Sequence, residues 1–357
     1  MLNFNDFPIT LTVECLRYIS PGYINRDENS EQKIISINNT DRVFMSSQAI
    51  KKCMREEFNF STYQGFEDLK SKLENYKEEN GEESYYMSGK EINDFFSSLD
   101  EKHKRKVKED EKTVYHVCLK ELYRYYKNNK EKKFIDELDA QKISKEIFLF
   151  GRMFAGKDDA TVEAKIQVAP AISCTEVEPL INLHSVERSN SNDKGAIHLG
   201  EDMDVNGMMY FSANINISEL IKEFKRTDNE KCIRSVEDIK ETVYRFVEVL
   251  SNFTFKTGRR FFITEDPSFV NVTFGQCAAT KNSRCFYNVE EGKKLNEDDL
   301  INKLREYIDK SYNRKRDRFY TRFNKYPELY NMEIDFSKEN IKEFKEKLDS
   351  VIKNNLN

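Results

Sequence analysis

Residues 46–55 read SSQAIKKCMR, and this stretch decides how the rest of the chain is interpreted. Serine is a preferred residue at a helix start, so the spacing predicts a helix that begins at the second serine. That helix would carry Lys51, Lys52 and Arg55 on one broad face, with Lys33 nearby in the sequence. Free N–H groups at a helix start attract anions, which makes the stretch a candidate cradle for a phosphate chain. The alternative interpretation is a capped amphipathic helix whose lysines are only solvated.

A strand is predicted before this helix. Apolar and polar residues alternate over residues 9–15, which is the period of a strand with one buried face. Ser20-Pro21-Gly22 is expected to end the strand. The chain then reaches the helix through an Asn25-Arg26-Asp27 turn and an extended polar connector. The sequence therefore begins with a strand followed by a helix.

The composition favours a soluble, helix-rich protein without a metal or cofactor. Of 357 residues, 38% are hydrophobic and 34% are charged. No run approaches the roughly 20 apolar residues of a membrane span. The N-terminus lacks the basic-then-apolar order of a secretory signal, which predicts a cytoplasmic protein. Seven cysteines without a C-x-x-C pair and four scattered histidines predict buried, reduced thiols and no metal site.

The charge distribution is uneven. A net charge of −5 argues mildly against a nucleic-acid-binding protein, although a basic groove can coexist with acidic surfaces. The basic run at 102–108 is bracketed by acidic residues, so it is either a solvated face or a minor RNA contact. Residues 314–326 interleave arginines with aromatic rings, which would either bind phosphates and stack on bases or form part of a core.

Residues 59–159 have the composition of a helical insertion between two parts of a sheet. Glu/Lys-rich segments with apolar residues at helical spacing predict helices over 66–77, 92–99, 114–122 and 143–148.

The second half of the chain completes the sheet. Alternating residues predict strands over 162–168, 208–217 and 270–274, with helices between the last two. Residues 170–206 have the pattern of an outgoing and returning hairpin, which is more often a binding element than a connector. The order β-α-insertion-β-hairpin-β-α-β matches the ferredoxin-like or RNA-recognition-motif plan of the α+β class.

Five short motifs occur in a distinctive order over most of residues 8–275. They are Asn25-Arg26-Asp27, Ser46-Ser47-Gln48-Ala49-Ile50-Lys51-Lys52, Gly151-Arg152-Met153, Gln167-Val168-Ala169-Pro170-Ala171-Ile172-Ser173 and Ala196-Ile197-His198-Leu199-Gly200. In this order, with the insertion between the second and the third, they resemble the CRISPR Cascade backbone-subunit family, the CasC-type protein of type I-E effector complexes.

The resemblance implies an architecture like a right hand. It has an RNA-recognition-motif (ferredoxin-like) palm, helical fingers from the insertion, a β-hairpin thumb and a C-terminal helical segment. The corresponding ranges are 1–58, 160–169 and 207–290 for the palm, 59–159 for the fingers, 170–206 for the thumb and 291–357 for the C-terminal segment.

The resemblance also implies a role without catalysis. Family members stack head to tail into a helical filament along a CRISPR RNA, and this guide reads a target DNA strand by base pairing. The expected partners are therefore CRISPR RNA, target DNA, other Cascade subunits and further copies of this chain, with no membrane. Met153 would contact a base near a kink in the guide. The candidate RNA-binding residues are Arg26, Lys33, Ser46, Gln48, Lys51, Lys52, Arg55, Arg152, Met153, Arg259 and Arg260.

The chain departs from the family pattern in two places. The family usually has a Gly-Gly-basic segment before its Ser-Ser-Gln, whereas residues 38–42 read NNTDR. The family's two histidines at the base of the thumb are absent from residues 170–175, which read PAISCT. These departures predict a divergent subtype.

Two other functions stay open. Related backbone subunits in other CRISPR classes cleave RNA with an acidic loop residue, and Asp27, Asp41 and Asp193 are conceivable catalytic acids. Each lies in a turn-like segment where aspartate is expected for local hydrogen bonding, and no paired acid–base set is visible. The remaining alternative is a structural protein that binds partner proteins and no nucleic acid.

Overall fold

The structure is a computed structural model of the chain. It describes residues 8–22, 32–58, 60, 65–76, 83–99, 112–128, 133–154, 158–176, 180–186, 198–228, 230–253, 255–257, 260–262, 266–275, 282–287, 295–322, 330–335 and 337–356.

Strands and helices are interspersed along the chain, and the helix predicted to begin at Ser47 is confirmed. The strands are β1 (Thr10–Gly22), β2 (Ile34–Ile37), β3 (Thr40–Met45), β4 (Ser84–Ser88), β5 (Val114–Cys118), β6 (Ile166–Val168), β7 (Ala171–Ser173), β8 (Leu180–Val186), β9 (His198–Asn216), β10 (Phe255–Thr257), β11 (Arg260–Phe262), β12 (Phe269–Gly275) and β13 (Tyr330–Glu333). The helices are α1 (Ser47–Glu57), α2 (Phe66–Glu74), α3 (Gly89–Leu99), α4 (Leu119–Asn128), α5 (Lys145–Phe150), α6 (Ile217–Lys225), α7 (Val236–Asn252), α8 (Glu297–Arg322) and α9 (Lys338–Leu356). Short 3-10 helices lie at Phe134–Glu137, Asp158–Ala160 and Asn282–Phe286.

The largest sheet has the strand order β13-β12-β1-β9-β7-β3-β2, and β6 and β8 also pair with β9. Strands β1 and β12 are antiparallel, with Glu14 opposite Asn271. The predicted outgoing and returning strands are present, because β8 pairs antiparallel with the first part of β9 from Val186 opposite His198 onwards. The predicted α+β class is therefore confirmed, and the structure shows antiparallel pairing in the sheet.

The chain divides into two compact units, which we call the sheet unit and the insertion unit. The sheet unit comprises Met1–Met54, Val168–Asn214 and Phe246–Phe344, and the insertion unit comprises Arg55–Gln167, Ile215–Arg245 and Lys345–Asn357. The insertion unit thus contains α6 and the first part of α7 in addition to the segment that composition marks as an insertion.

Both faces of β1 are covered within the sheet unit. On one face, Arg17 donates from Nη2 to the Phe253 carbonyl at 3.0 Å, and its guanidinium lies over the Phe253 ring. Successive residues of a strand point to opposite faces, so the neighbouring Leu16 lies on the other face. There it belongs to a cluster that includes the 3-10 helix Asn282–Phe286 and α8. The buried members are Leu16, Cys174, Met208, Tyr210, Phe269, Cys285, Phe286, Leu300, Ile301, Leu304 and Ile308.

The buried carboxylate of Glu14 joins several elements on this second face by hydrogen bonds. Glu14 accepts hydrogen bonds from Tyr210 Oη at 2.5 Å, Asn282 Nδ2 at 2.7 Å and Asn271 Nδ2 at 3.1 Å. Desolvation raises the pKa of the Tyr210 phenol well above its usual value. A buried charge is tolerated only with such partners. The network therefore fastens the 3-10 helix that begins at Asn282 to the sheet.

The insertion unit has its own core, built on a small sheet in which β4 and β5 pair antiparallel over their full length. The helices predicted over 66–77 and 92–99 are confirmed as α2 and α3. The prediction of a helix from residue 114 is wrong, since 114–118 is β5 and α4 begins only at Leu119. A short apolar run has no period that distinguishes strand from helix, and pairing with β4 decides the outcome.

Six of the seven cysteines lie in the described part of the chain, and all six are free and buried as predicted. Burial raises the pKa of the Cys15 and Cys285 thiols to about 12. Among the described helices, none is long and apolar enough to cross a membrane. The same residues contain no group of three or more His, Cys, Asp or Glu side chains placed to hold a metal ion.

Candidate nucleic-acid interface

The start of α1 presents polar and basic side chains on a well-anchored helix. Ser46 caps the helix, because its Oγ accepts a hydrogen bond from the backbone N–H three residues on, at 3.3 Å. Ile50 is fully buried, whereas Gln48 and Lys52 are exposed and Lys51 is partly exposed. The predicted cap is confirmed, and Gln48 and Lys52 are exposed within the first two turns of the helix.

Lys33 lies beside this helix start in the sheet unit. Its carbonyl accepts a hydrogen bond from the Phe44 N–H at 3.0 Å, and Phe44 precedes the cap residue Ser46 by two positions. The Lys33 side chain is partly exposed. The structure therefore places the backbone of Lys33 beside the end of β3, which leads into α1.

Two asparagines form the turn between β2 and β3. Asn38 and Asn39 have φ angles of 52° and 61°, and Ile37 lies opposite Thr40 across the hairpin. A two-residue loop with two positive φ angles is a type I′ turn, in which asparagine is a favoured residue. The segment that lacks the family's glycines thus contains residues that adopt a conformation usually left to glycine.

Arg42 lies inside the sheet unit and was missed by the sequence analysis as a structural residue. Its Nη1 donates to the Ser173 carbonyl at 3.1 Å, and its Nη2 donates to the Phe286 carbonyl at 3.0 Å. Burial lowers the pKa of its guanidinium. No alternation along β3 marked this position, because Arg42 and the adjacent Val43 are both buried.

Arg55 is held within the insertion unit. Its Nε lies 3.2 Å from Glu146 Oε1, and its guanidinium lies 4.9 Å from the centre of the Phe150 ring. The Arg55 side chain is only 20% exposed, and that of Glu146 is 4% exposed. Arg55 therefore packs within the insertion unit. The exposed lysines of α1 are the better candidates for phosphate contacts.

The motif Gly151-Arg152-Met153 separates into a buried and an exposed part. Met153 is 84% exposed, whereas the side chain of Arg152 is 1% exposed. The Arg152 Nη1 lies 2.8 Å from both carboxylate oxygens of Glu121. This burial argues against the direct RNA contact predicted for Arg152. The structural role of Glu121 was not predicted from the sequence. Its signal is the spacing of a capping box. Glu121 lies three residues after Cys118, and the Cys118 N–H donates to Glu121 Oε2 at 3.0 Å.

The remaining candidates are only partly placed. Arg260 begins β11, opposite Thr257 of β10. Asp41 is exposed on β3, opposite Ser36. Helix α8 extends to Arg322, so the first part of the basic-aromatic stretch is helical. The candidates outside the described residues are Arg26, Asp27, the run at 102–108, Asp193 and Arg259.

The described residues define a mixed α+β protein whose fold is shared with chains of CRISPR surveillance complexes. A chain titled "CRISPR RNA-guided surveillance complex, pre-nicking" matches with a TM-score of 0.60 at 14% identity, over 85% of this chain and 89% of that one. A chain titled "CRISPR RNA-guided surveillance complex" matches with a TM-score of 0.54 at 13% identity, over 92% and 90% respectively. At these identities the likeness shows the fold alone.

The family is shown by sequence. The chain belongs to the family of CT1975-like proteins, whose model matches residues 62–346. Together with the shared fold, this match confirms the resemblance to CRISPR Cascade subunits that the five motifs indicate. No curated protein matches the chain.

Proposed function

We propose that this chain is a CRISPR RNA-binding backbone subunit of a type I surveillance complex, similar to type I-E. Copies of the chain polymerise along one guide RNA and present it, with other Cascade subunits, for pairing with target DNA. The observation that carries the proposal is the fold shared over 85% of the chain with a chain of an RNA-guided surveillance complex.

The strand order supports an RNA-recognition-motif palm. Strand β9 lies between β1 and β7, and β12 lies on the other side of β1. Helix α1 follows β1 in sequence, and α7 connects β9 to β12. This order fits the split β-α-β arrangement of the ferredoxin-like plan and supports the proposed palm. The β8–β9 hairpin then takes the place of the thumb, and the segment 59–159 that of the fingers.

The palm binds RNA away from the open sheet face that many RNA-recognition motifs use. Those domains stack bases on exposed aromatic residues of the sheet. Here Tyr210 and Phe269 on that face are buried in one cluster with Phe286 and Leu304. The guide is therefore held at the start of α1, where lysines contact phosphates without reading the base sequence.

The experiment that tests the function is co-purification of RNA. The full chain is expressed with a CRISPR array, alone and with partner subunits, and the bound RNA is sequenced. Repeat-spacer RNA of uniform length is expected. Purified protein that carries no nucleic acid in either preparation would overturn the proposal and favour a purely structural protein.

We also propose that the chain has no catalytic role, because backbone contacts of this kind position RNA without a reactive group. The alternative is an RNA endonuclease that cleaves guide-bound target RNA. The assembled complex is incubated with labelled target RNA and a divalent metal ion. Intact RNA is expected; periodic cleavage that Asp41→Ala or Asp27→Ala abolishes would establish the endonuclease instead.

A further inference from the structure

We infer that Arg152 and Glu121 are positioning residues that hold Met153 outward against the guide, so that Gly151-Arg152-Met153 acts as one unit. Gly151 allows the backbone approach, Arg152 anchors the segment and Met153 makes the contact. This inference rests on the proposed function, and it replaces the direct RNA contact that the sequence predicts for Arg152.

The direction of Met153 is set by its two neighbours. Arg152 is 5% exposed and Phe154 is 6% exposed, whereas Met153 between them is 84% exposed. In an extended segment successive side chains point to opposite sides, so two buried neighbours force the residue between them outward. The thioether is therefore presented to solvent by the packing of the chain on either side.

The anchor is a guanidinium with several fixed partners. Besides the contacts with Glu121, the Nε of Arg152 donates to the Ala160 carbonyl at 2.9 Å, and Nη1 donates to the His116 carbonyl at 3.3 Å. The guanidinium also lies 5.2 Å from the centre of the Phe154 ring. The guanidinium of Arg152 is thus hydrogen-bonded to the middle of β5, to α4 and to the segment that follows Met153.

Stability alone is a weak reason for this buried pair. The Nη2 of Arg152 is buried and has no hydrogen-bond partner within the described structure. Replacing a buried ion pair by apolar residues is often neutral or stabilising, and such pairs are retained in some proteins because they specify one geometry. The pair between Arg152 and Glu121 fits that role, because the residue it orients is the exposed Met153.

The backbone of the segment is equally constrained. Arg152 N donates to the Val162 carbonyl at 2.9 Å, and Val162 N donates to the Arg152 carbonyl at 2.7 Å. Gly151 has φ +81°, and a Cβ there would lie 2.9 Å from both the Ala164 nitrogen and the Val162 oxygen. Only glycine fits this close approach. The backbone of Arg152, directly before Met153, is therefore held by two hydrogen bonds to Val162.

A double-mutant cycle tests the inference. The full-length variants are Met153→Ala, Glu121→Gln and the double variant, titrated with a single-stranded RNA of the co-purified guide sequence. Glutamine can keep an oxygen for the Cys118 N–H, but it removes the charge and replaces the other oxygen that contacts Arg152 Nη1 with an NH2 donor. Each single variant is expected to weaken binding by at least roughly 5-fold, which corresponds to about 1 kcal/mol. In the Met153→Ala background, Glu121→Gln should change the affinity by less than about 3-fold, because its effect acts through Met153.

A matched control separates positioning from general stability. Glu223 is also a buried carboxylate of the insertion unit, paired with Arg226 at 2.9 Å. Glu223→Gln should lower the thermal midpoint without coupling to Met153→Ala. Arg152→Lys keeps the positive charge but loses the several N–H donors of the guanidinium. In RNA affinity it should couple to Met153→Ala as Glu121→Gln does.

The outcomes distinguish this inference from the proposed function. Strong coupling of Glu121→Gln to Met153→Ala, with no coupling of the control, supports it. Additive effects, or full affinity of Met153→Ala, overturn it while RNA binding by the parent protein stands. A parent protein that binds no guide RNA would instead overturn the proposed function.

Discussion

Replacing Lys52 by alanine is expected to remove one phosphate contact from guide-RNA binding. Lys52 is exposed on α1, whereas Ile50 of the same helix is fully buried, so the substitution removes a charge without opening the core. Counterion release gives single-stranded nucleic acids a slope of log affinity against log salt of about −0.7 per neutralised phosphate. The slope should therefore become less negative by about 0.7, and the loss of affinity at about 50 mM salt should exceed that at about 200 mM roughly threefold.

The assay is a salt titration of the full chain with fluorescently labelled guide RNA, read by anisotropy. Lys310→Ala is the matched control in the sheet unit, because Lys310 is an exposed helical lysine that pairs with Glu306 at 3.4 Å. It should keep the slope of the parent protein. If Lys52→Ala and Lys310→Ala gave the same slope as the parent, Lys52 would not contact phosphate and the assignment of the α1 start would be refuted.

Four further predictions follow from single features. Lys33→Glu should reduce guide-RNA retention more at low than at high salt, since Lys33 lies beside the cap of α1; equal retention at every salt concentration would remove it from the interface. Gly151→Ala should lower the free energy of unfolding in urea by at least about 1–2 kcal/mol, because an L-residue there is strained at φ +81°. Unchanged stability would contradict that backbone conformation. Asn39→Ala should cost about 1 kcal/mol and Asn39→Gly should cost none, because φ is 61° at this turn position; equal melting temperatures for the two variants would argue against the type I′ turn. Burial raises the pKa of the Cys15 thiol from 9.0 to about 12, so the folded state keeps a proton that the unfolded state loses, and stability should fall as pH rises through this window. Cys15→Val should show a smaller fall in denaturation midpoint above about pH 9, and a fall equal to that of the parent would contradict the assignment.

Local signals in the sequence predicted the elements that depend on neighbouring residues. The cap at Ser46 follows from residue types within one helical turn, and it is confirmed. The helix α7 is likewise capped by Ser235, whose Oγ accepts from the Asp238 N–H at 3.0 Å. The strand at 114–118 was not predicted, because its identity depends on pairing with β4 about 30 residues away in sequence.

In the candidate site, too, the sequence predicted the local motif, and the tertiary structure decided the role of each residue. The motif Gly151-Arg152-Met153 is visible in the sequence, but the sequence placed Arg152 and Met153 together as RNA contacts. Burial separates them, because Arg152 turns inward to Glu121 and Met153 turns outward. No spacing rule predicts this outcome, since the carboxylate that receives the guanidinium lies on α4, 31 positions earlier in the chain.

By itself, the sequence determined the α+β class, the basic start of α1 and the family to which the chain belongs. Only the tertiary structure decided which charged side chains are structural. Arg42 bonds to the Phe286 carbonyl 244 positions away, and Arg152 pairs with Glu121 31 positions away. Capping and periodicity act over a few residues, whereas a buried charge is stabilised by whatever the fold brings within hydrogen-bond distance. The exposed lysines of α1 and the exposed Met153 are thus candidates for RNA contact, while the buried arginines hold the surfaces that carry them.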